Sequence, residues 1–309
     1  MQLSTPYAVL TILALMPTGA VAQVTVEQQR VIDGIVGAKG AYIADDRAYK
    51  IVLPREAATI VQDYQTLSPN LGLNSWVTFS SGIHQEAIVA GQFLLLDDEV
   101  NRVLATALES GLEVTGLAGS SLFNERPLFT LDISGRGTFQ ELASAFRKAM
   151  DEIVQVRRAR GSRRASTGTP TLPLESTIDS RPLDAALSMR GTVNGGTYRA
   201  AIGKRAAVHG EVIGREMGVS TWISFAGANE RAVAYGEFVE DKDALQKVLR
   251  ALTSKGIRIA SIRNHMIGEQ PQLVFVRFCS QGIALELAKA LRYALDVEVG
   301  AISLPDAKR

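Results

Sequence analysis

The chain has 309 residues, of which 46% are hydrophobic and 21% charged, and its formal net charge is +1. That length exceeds what one hydrophobic core usually serves, so two domains are expected. The near-neutral balance excludes a global electrostatic pull toward nucleic acid or anionic membrane, and the single cysteine, Cys279, excludes an intramolecular disulfide.

In chain order, an apolar run over residues 8–16 is followed by Pro17, Thr18 and Gly19, then Ala20-Val21-Ala22 before Gln23. Small residues at the last and third-last positions fit a signal-peptidase site, so residues 1–22 are expected to be a signal peptide cleaved after Ala22. The run is too short to span a bilayer core. The mature chain is therefore expected to carry no transmembrane segment and to be periplasmic or extracellular.

Residues 26–36 read as a helix and 49–53 as a strand stopped by Pro54. Residues 75–79 and 87–95 follow as strands rich in β-branched and aromatic side chains. Asp97 or Asp98 is expected to cap a helix carrying Val100, Val103, Leu104, Ala107 and Leu108 on one face, ended by Gly111. Strands over 112–117 and 128–133 and a helix striped by Leu142, Ala145, Phe146, Ala149 and Met150 complete the unit.

The same order then returns. Trp76-Val77-Thr78-Phe79 recurs as Trp222-Ile223-Ser224-Phe225, Gly91-Gln92-Phe93 as Gly236-Glu237-Phe238, and Gly111 as Gly256. Glu141-Leu142-Ala143 recurs as Glu286-Leu287-Ala288. A register held over so many elements marks two copies of one unit of roughly 125 residues. The fold class expected is α+β: two tandem repeats of a β-β-α-β-β-α sandwich with mostly antiparallel sheets. Repeat unit one is placed at 23–156, a basic flexible linker at 157–181 and repeat unit two at 182–309. The linker opens with Arg157, Arg158, Arg160, Arg163 and Arg164 and turns to Ser, Thr, Gly and Pro. Its composition suits a solvated connector, the alternative being an arginine patch for an anionic envelope polymer. Without interleaved aromatics it makes no case for specific nucleic-acid recognition.

Hydrolase signatures are missing: there is no Gly-x-Ser-x-Gly elbow, His-Glu-x-x-His or Ser-x-x-Lys set. Glu86, Glu230 and Glu237 are acids that nothing in the sequence separates from solvated charges. Trp76 and Trp222 are expected to plug the cores of their own units.

Several segments together resemble the LppY/LpqO family of exported bacterial proteins. They are Leu73-Asn74-Ser75-Trp76, the stretch from Gly91 to Asp98, and Asn264-His265-Met266-Ile267-Gly268-Glu269-Gln270-Pro271 with Phe275 and Gly282. The resemblance spans both units and implies a secreted or envelope-associated protein with tandem domains. It implies no particular activity. The family's typical His-Asn-His, Glu, His constellation reads here as Arg263, Asn264, His265, Glu269 and Arg277. In unit one Ser120 or Ser121 and Glu125 stand at the matching places, so that unit is expected to lack the constellation.

Paired as a hairpin, the strands would put Arg263 and Arg277 on one face with His265 between them. Two guanidiniums and an imidazole suit a carboxylate, phosphate or sulfate. The ligand-binding set expected is therefore Arg263, Asn264, His265, Glu269 and Arg277, in a non-catalytic binding protein with no cofactor. The competing structural reading pairs Glu269 with an arginine and bonds His265 to the loop backbone. The enzymatic alternative is a metal-dependent hydrolase holding zinc through His265 and Glu269, with further ligands the sequence does not reveal.

Overall fold

The computed structural model describes residues 23–54, 61–62, 65–66, 69–119, 127–160 and 176–301. The expected signal peptide, Ser120, Ser121, Glu125 and residues 161–175 of the linker lie outside the described residues.

Unit one runs α1 (Val26–Val36), β1 (Ala41–Ile43), β2 (Ala48–Pro54), a two-residue ribbon β3 (Val61–Gln62) and β4 (Gln65–Thr66), then β5 (Asn74–Ser81) and β6 (Ala87–Leu96). It closes with α2 (Val100–Glu109), β7 (Glu113–Gly119), β8 (Leu128–Gly137) and α3 (Phe139–Arg160). Unit two repeats the plan as α4 (Ser180–Leu187), β9 (Thr192–Asn194), β10 (Thr197–Gly203), β11 (Ala206–Val208), β12 (Glu211–Ile213), β13 (Ser220–Ala228) and β14 (Arg231–Asp241). It ends with α5 (Lys242–Ser254), β15 (Ile259–Arg263), β16 (Glu269–Gln270), β17 (Leu273–Gly282) and α6 (Ala284–Glu298).

Each unit holds one six-stranded antiparallel sheet, ordered β1-β2-β5-β6-β8-β7 in the first and β15-β17-β14-β13-β10-β9 in the second. Element by element these are the same order. Three helices cover one face of each sheet, giving two separate cores. Phe79, Phe93, Leu131 and Phe146 centre the first, and Phe225, Phe238, Phe278 and Leu291 the second. The expected α+β repeats are therefore present.

The uncovered faces of the two sheets pack on each other. Leu71, Leu73, Leu94 and Leu128 of unit one share a cluster with Trp222, Val233, Tyr235 and Cys279 of unit two. Ile88 and Ala90 pack with Met217, Val239, Met266 and Phe275. The result is a four-layer helix–sheet–sheet–helix stack. It corrects the expectation for the tryptophans: both lie outside the unit cores, and Trp222, 8% exposed, is buried between the sheets.

Local differences have local causes. The N-cap of α2 is Glu99, not Asp97 or Asp98, and it makes no side-chain cap bond. Instead its buried carboxylate accepts from the Leu96 N–H at 2.8 Å and lies 3.4 Å from Arg157. Leu108, expected inward, is 52% exposed. The linker is narrower than expected at both ends. Residues 157–160 continue α3, held by the Arg157 contact, and Thr177 N donates to the Gly227 carbonyl at 2.7 Å. Asp179 caps α4 through the Arg181 N–H.

Candidate functional site

Among the residues of the stacked faces, a few ionisable and amide side chains stand at equivalent places in the two units. Gln92 on β6 is opposite Asp132 on β8; Glu237 on β14 is opposite Arg277 on β17. Next door, β15 pairs with β17 so that Ser261 faces Arg277 and Arg263 faces Phe275. With a period of two, Arg263 and Arg277 share a face, as the hairpin argument expected. That face is turned toward unit one.

The arginines therefore meet carboxylates. Arg263 bonds Asp132 of unit one through Nη1 and Glu237 through Nη2 at 2.8 Å. Arg277 Nη2 lies 3.1 Å from the same Glu237 oxygen. Gln92 Nε2 donates to Asp132 Oδ1 at 2.7 Å. Burial alone would raise the Asp132 carboxyl, but Arg263 and His265 outweigh it and hold it at about 2. Burial likewise opposes charge on Arg277, and the Glu237 carboxylate overrides it, so the guanidinium stays protonated. Arg263 is thus a cross-link between units, its one charge shared by two carboxylates through Nη1 and Nη2.

His265, 4% exposed, has Nδ1 3.1 Å from Asp132 Oδ1 and 3.3 Å from Arg263 Nη1. The two neighbours ask for opposite tautomers. An ionised carboxylate can only accept, and a bare Nδ1 lone pair would face its charge, so the proton sits on Nδ1 and points at Asp132. Nε2 is then a bare acceptor, and it has no partner. Its setting is fixed from behind by Thr115 Oγ1 of unit one, which donates to the His265 carbonyl at 2.6 Å.

Between the sheets a cleft of about 650 Å³ opens beside this cluster. Its floor is His265, Glu237, Arg277, Gln92 and Gly218; its rim adds Lys50, Arg190, Arg199, Arg215 and Glu216. Five basic side chains thus face two carboxylates. Lys50 Nζ stacks 4.8 Å from the centre of Trp76, and Arg199 Cζ 4.0 Å from Trp222. Each tryptophan holds a cation against the cleft wall. Lys50 also pairs with Glu216 at 3.1 Å, and burial pushes its ammonium below the usual lysine value. Burial pushes Arg199 down to about 10.

Two glycines make this closeness possible. Gly72 and Gly218 each stand four residues before a tryptophan and adopt left-handed φ of +105° and +95°. Each sits on the other unit's tryptophan. A Cβ on Gly72 would lie 2.8 Å from Trp222 Cη2, and one on Gly218 would lie 2.4 Å from His265 Nε2 and 3.2 Å from Trp76 Cη2.

Of the five residues expected from sequence, the structure brings three together. His265 and Arg277 line the cleft and Arg263 lies beneath it. Asn264 is exposed and does not line the cleft. Glu269 is turned to its own loop, where Oε1 accepts from the Leu273 N–H at 3.0 Å, and β16 pairs with β11. Glu269 thus pairs with neither arginine. Asp132, not Glu269, reaches His265, and no cluster of three or more His, Cys, Asp or Glu poised for a metal ion occurs among the described residues. Asp132, Gln92, Lys50, Arg199, Arg215 and Glu216 were missed. For Lys50, Gln92, Asp132 and Arg199 the signal was present, as single polar residues interrupting strands at matched positions of the repeat, whereas Arg215 and Glu216 lie together in a short turn before β13 and carry no such signal.

No curated protein matches the chain. Among solved structures, the trimeric bacterial microcompartment shell protein PduB overlaps with 9% identity over 84% of this chain and 91% of that one, at a TM-score of 0.21. The ethanolamine utilization protein EutL from Leptotrichia buccalis overlaps with 13% identity over 85% and 97%, at a TM-score of 0.17. Overlaps at these TM-scores carry no argument. The family model described as Domain of Unknown Function (DUF1259) matches residues 30–152 and again 181–297, once in each unit. The chain belongs to that family.

Proposed function

We propose that the protein is an exported, non-catalytic binding module of the cell envelope, and that its ligand is a small anion held in the cleft between the units. The observation that carries the reading is Arg199. Its guanidinium is pinned over Trp222 at the cleft wall, and no carboxylate among the described residues is in salt-bridge contact with it, although Glu216 and Glu237 act on it from farther off. Lys50, Arg190, Arg215 and Arg277 share the same space with only Glu216 and Glu237 to balance them. A partly buried cation whose carboxylates are too distant for contact and shared with other cations is incompletely compensated, and a bound anion removes that cost. The cleft volume falls in the range of small-molecule sites. The envelope location rests on residues 1–22 and on the resemblance to exported proteins.

The test is calorimetric titration of the mature protein with phosphate, sulfate and a hexose monophosphate. Saturable binding that weakens as salt rises is expected, and Arg199→Met should lower affinity roughly tenfold by removing one charge-assisted contact. Absence of heat and of any melting shift at millimolar concentrations of all three anions would refute the reading.

A further inference from the structure

The anion reading says nothing about which oxyanion fits, but the His265 geometry does. Nε2 is buried, has no partner and borders the cleft. Gly218 lies beside it, so close that a Cβ there would stand 2.4 Å from Nε2, and only glycine lets the ring keep this position. The Asp132 carboxylate 3.1 Å from Nδ1 fixes the tautomer, so the cleft presents one bare acceptor among its donors. Arg277 Nε, likewise buried and without a partner, is a donor on the same floor.

Resting on the proposed anion site, we infer that His265 Nε2 accepts the acidic hydrogen of an oxyanion that carries its own O–H. The ligand class is hydrogenphosphate, free or as the singly protonated form of a phosphate monoester, in preference to sulfate. Phosphate at neutral pH keeps at least one proton and sulfate keeps none. Sulfate would set an oxygen lone pair against the Nε2 lone pair inside a buried site, leaving both unsatisfied. Sites that hydrogen-bond a ligand hydroxyl reject analogues lacking it more strongly than apolar pockets reject a missing methylene. The cleft, at about 650 Å³, has room beyond one phosphate group for the organic part of a monoester.

The test compares phosphate, sulfate and a hexose monophosphate at about pH 7, above the ordinary imidazole value of about 6.5, where phosphate keeps at least one proton and a monoester keeps its proton in about a tenth of its molecules. Phosphate should bind at least about tenfold more tightly than sulfate. Tighter binding of the hexose monophosphate identifies the monoester as the source, and equal or weaker binding identifies free phosphate. In Asp132→Asn the amide can donate to Nδ1, moving the ring proton to Nε2, and the preference should collapse or invert toward sulfate. Sulfate binding as well as phosphate in the native protein overturns the inference while leaving the anion site standing. Failure of all three ligands sinks the anion site itself. If the Asn variant does not fold, the nitrogen NMR shifts of His265 in the native protein decide. A protonated Nε2, whether Nδ1 is bare or protonated, overturns the inference.

Discussion

Glu240 gives the sharpest test of the packing. It is fully buried on β14, both carboxylate oxygens lack a partner, and its place in the repeat is that of Leu95, a core residue of unit one. Burial, reinforced by Glu298, raises its pKa from 4.5 to about 8, with Lys204 opposing. A raised carboxyl pKa means that the folded state holds the proton longer than the unfolded chain does. Its contribution is therefore most favourable below pH 4.5 and is lost progressively as pH rises to about 8. At about 1.4 kcal/mol per pH unit, the loss is on the order of 5 kcal/mol. Glu240→Leu removes both this titration and the unsatisfied polar atoms. It should exceed the native protein in stability by about 1–2 kcal/mol at acidic pH and by about 6–7 kcal/mol above the transition. Glu240→Gln should reproduce the pH dependence of the gain without the constant part. Urea unfolding followed by tryptophan fluorescence, run across this pH range, measures the difference. A gap between native and Leu variants that stays flat from acid to alkaline pH would refute the reasoning.

Gly218→Ala combines a left-handed backbone with a Cβ that crowds His265 Nε2. It should cost about 1–3 kcal/mol in urea unfolding and weaken anion binding, since His265 must move. Unit two expressed alone would expose the sheet face bearing Trp222, Val233, Tyr235 and Phe275. It should bind a hydrophobic dye or self-associate in sizing chromatography, whereas the full chain should not.

Much of the architecture was legible because it is local. Helix stripes, Gly111 and Gly256 stops, and the repeat register all follow from neighbours in sequence. The shared face of Arg263 and Arg277 follows from strand parity alone. What parity does not give is the layer that the face meets. The strand Ala87–Leu96 is buried along nearly its whole length with no polar alternation, as is Ala232–Glu240 of β14. Long strands with apolar residues on both faces, broken only by Gln92 in one and by Glu237 and Glu240 in the other, signal a sheet covered on both sides, and reading them so would have moved Trp76 and Trp222 out of the unit cores. The partner of Arg263 was beyond reach for another reason. Asp132 lies 131 positions away in the other unit, and its meeting with Arg263 depends on how two finished sheets dock.

That docking places matched residues of unlike charge across a pseudo-symmetry axis: Asp132 answers Arg277 in position, and Gln92 answers Glu237. Two identical subunits could not do this. In a true two-fold dimer an aspartate at one place obliges a second aspartate at its mate, and an arginine obliges an arginine, so the chamber between them would look the same from either end. Carried on one polypeptide, the halves are free to differ. The chamber therefore has a head and a tail, its two ends offering different chemistry.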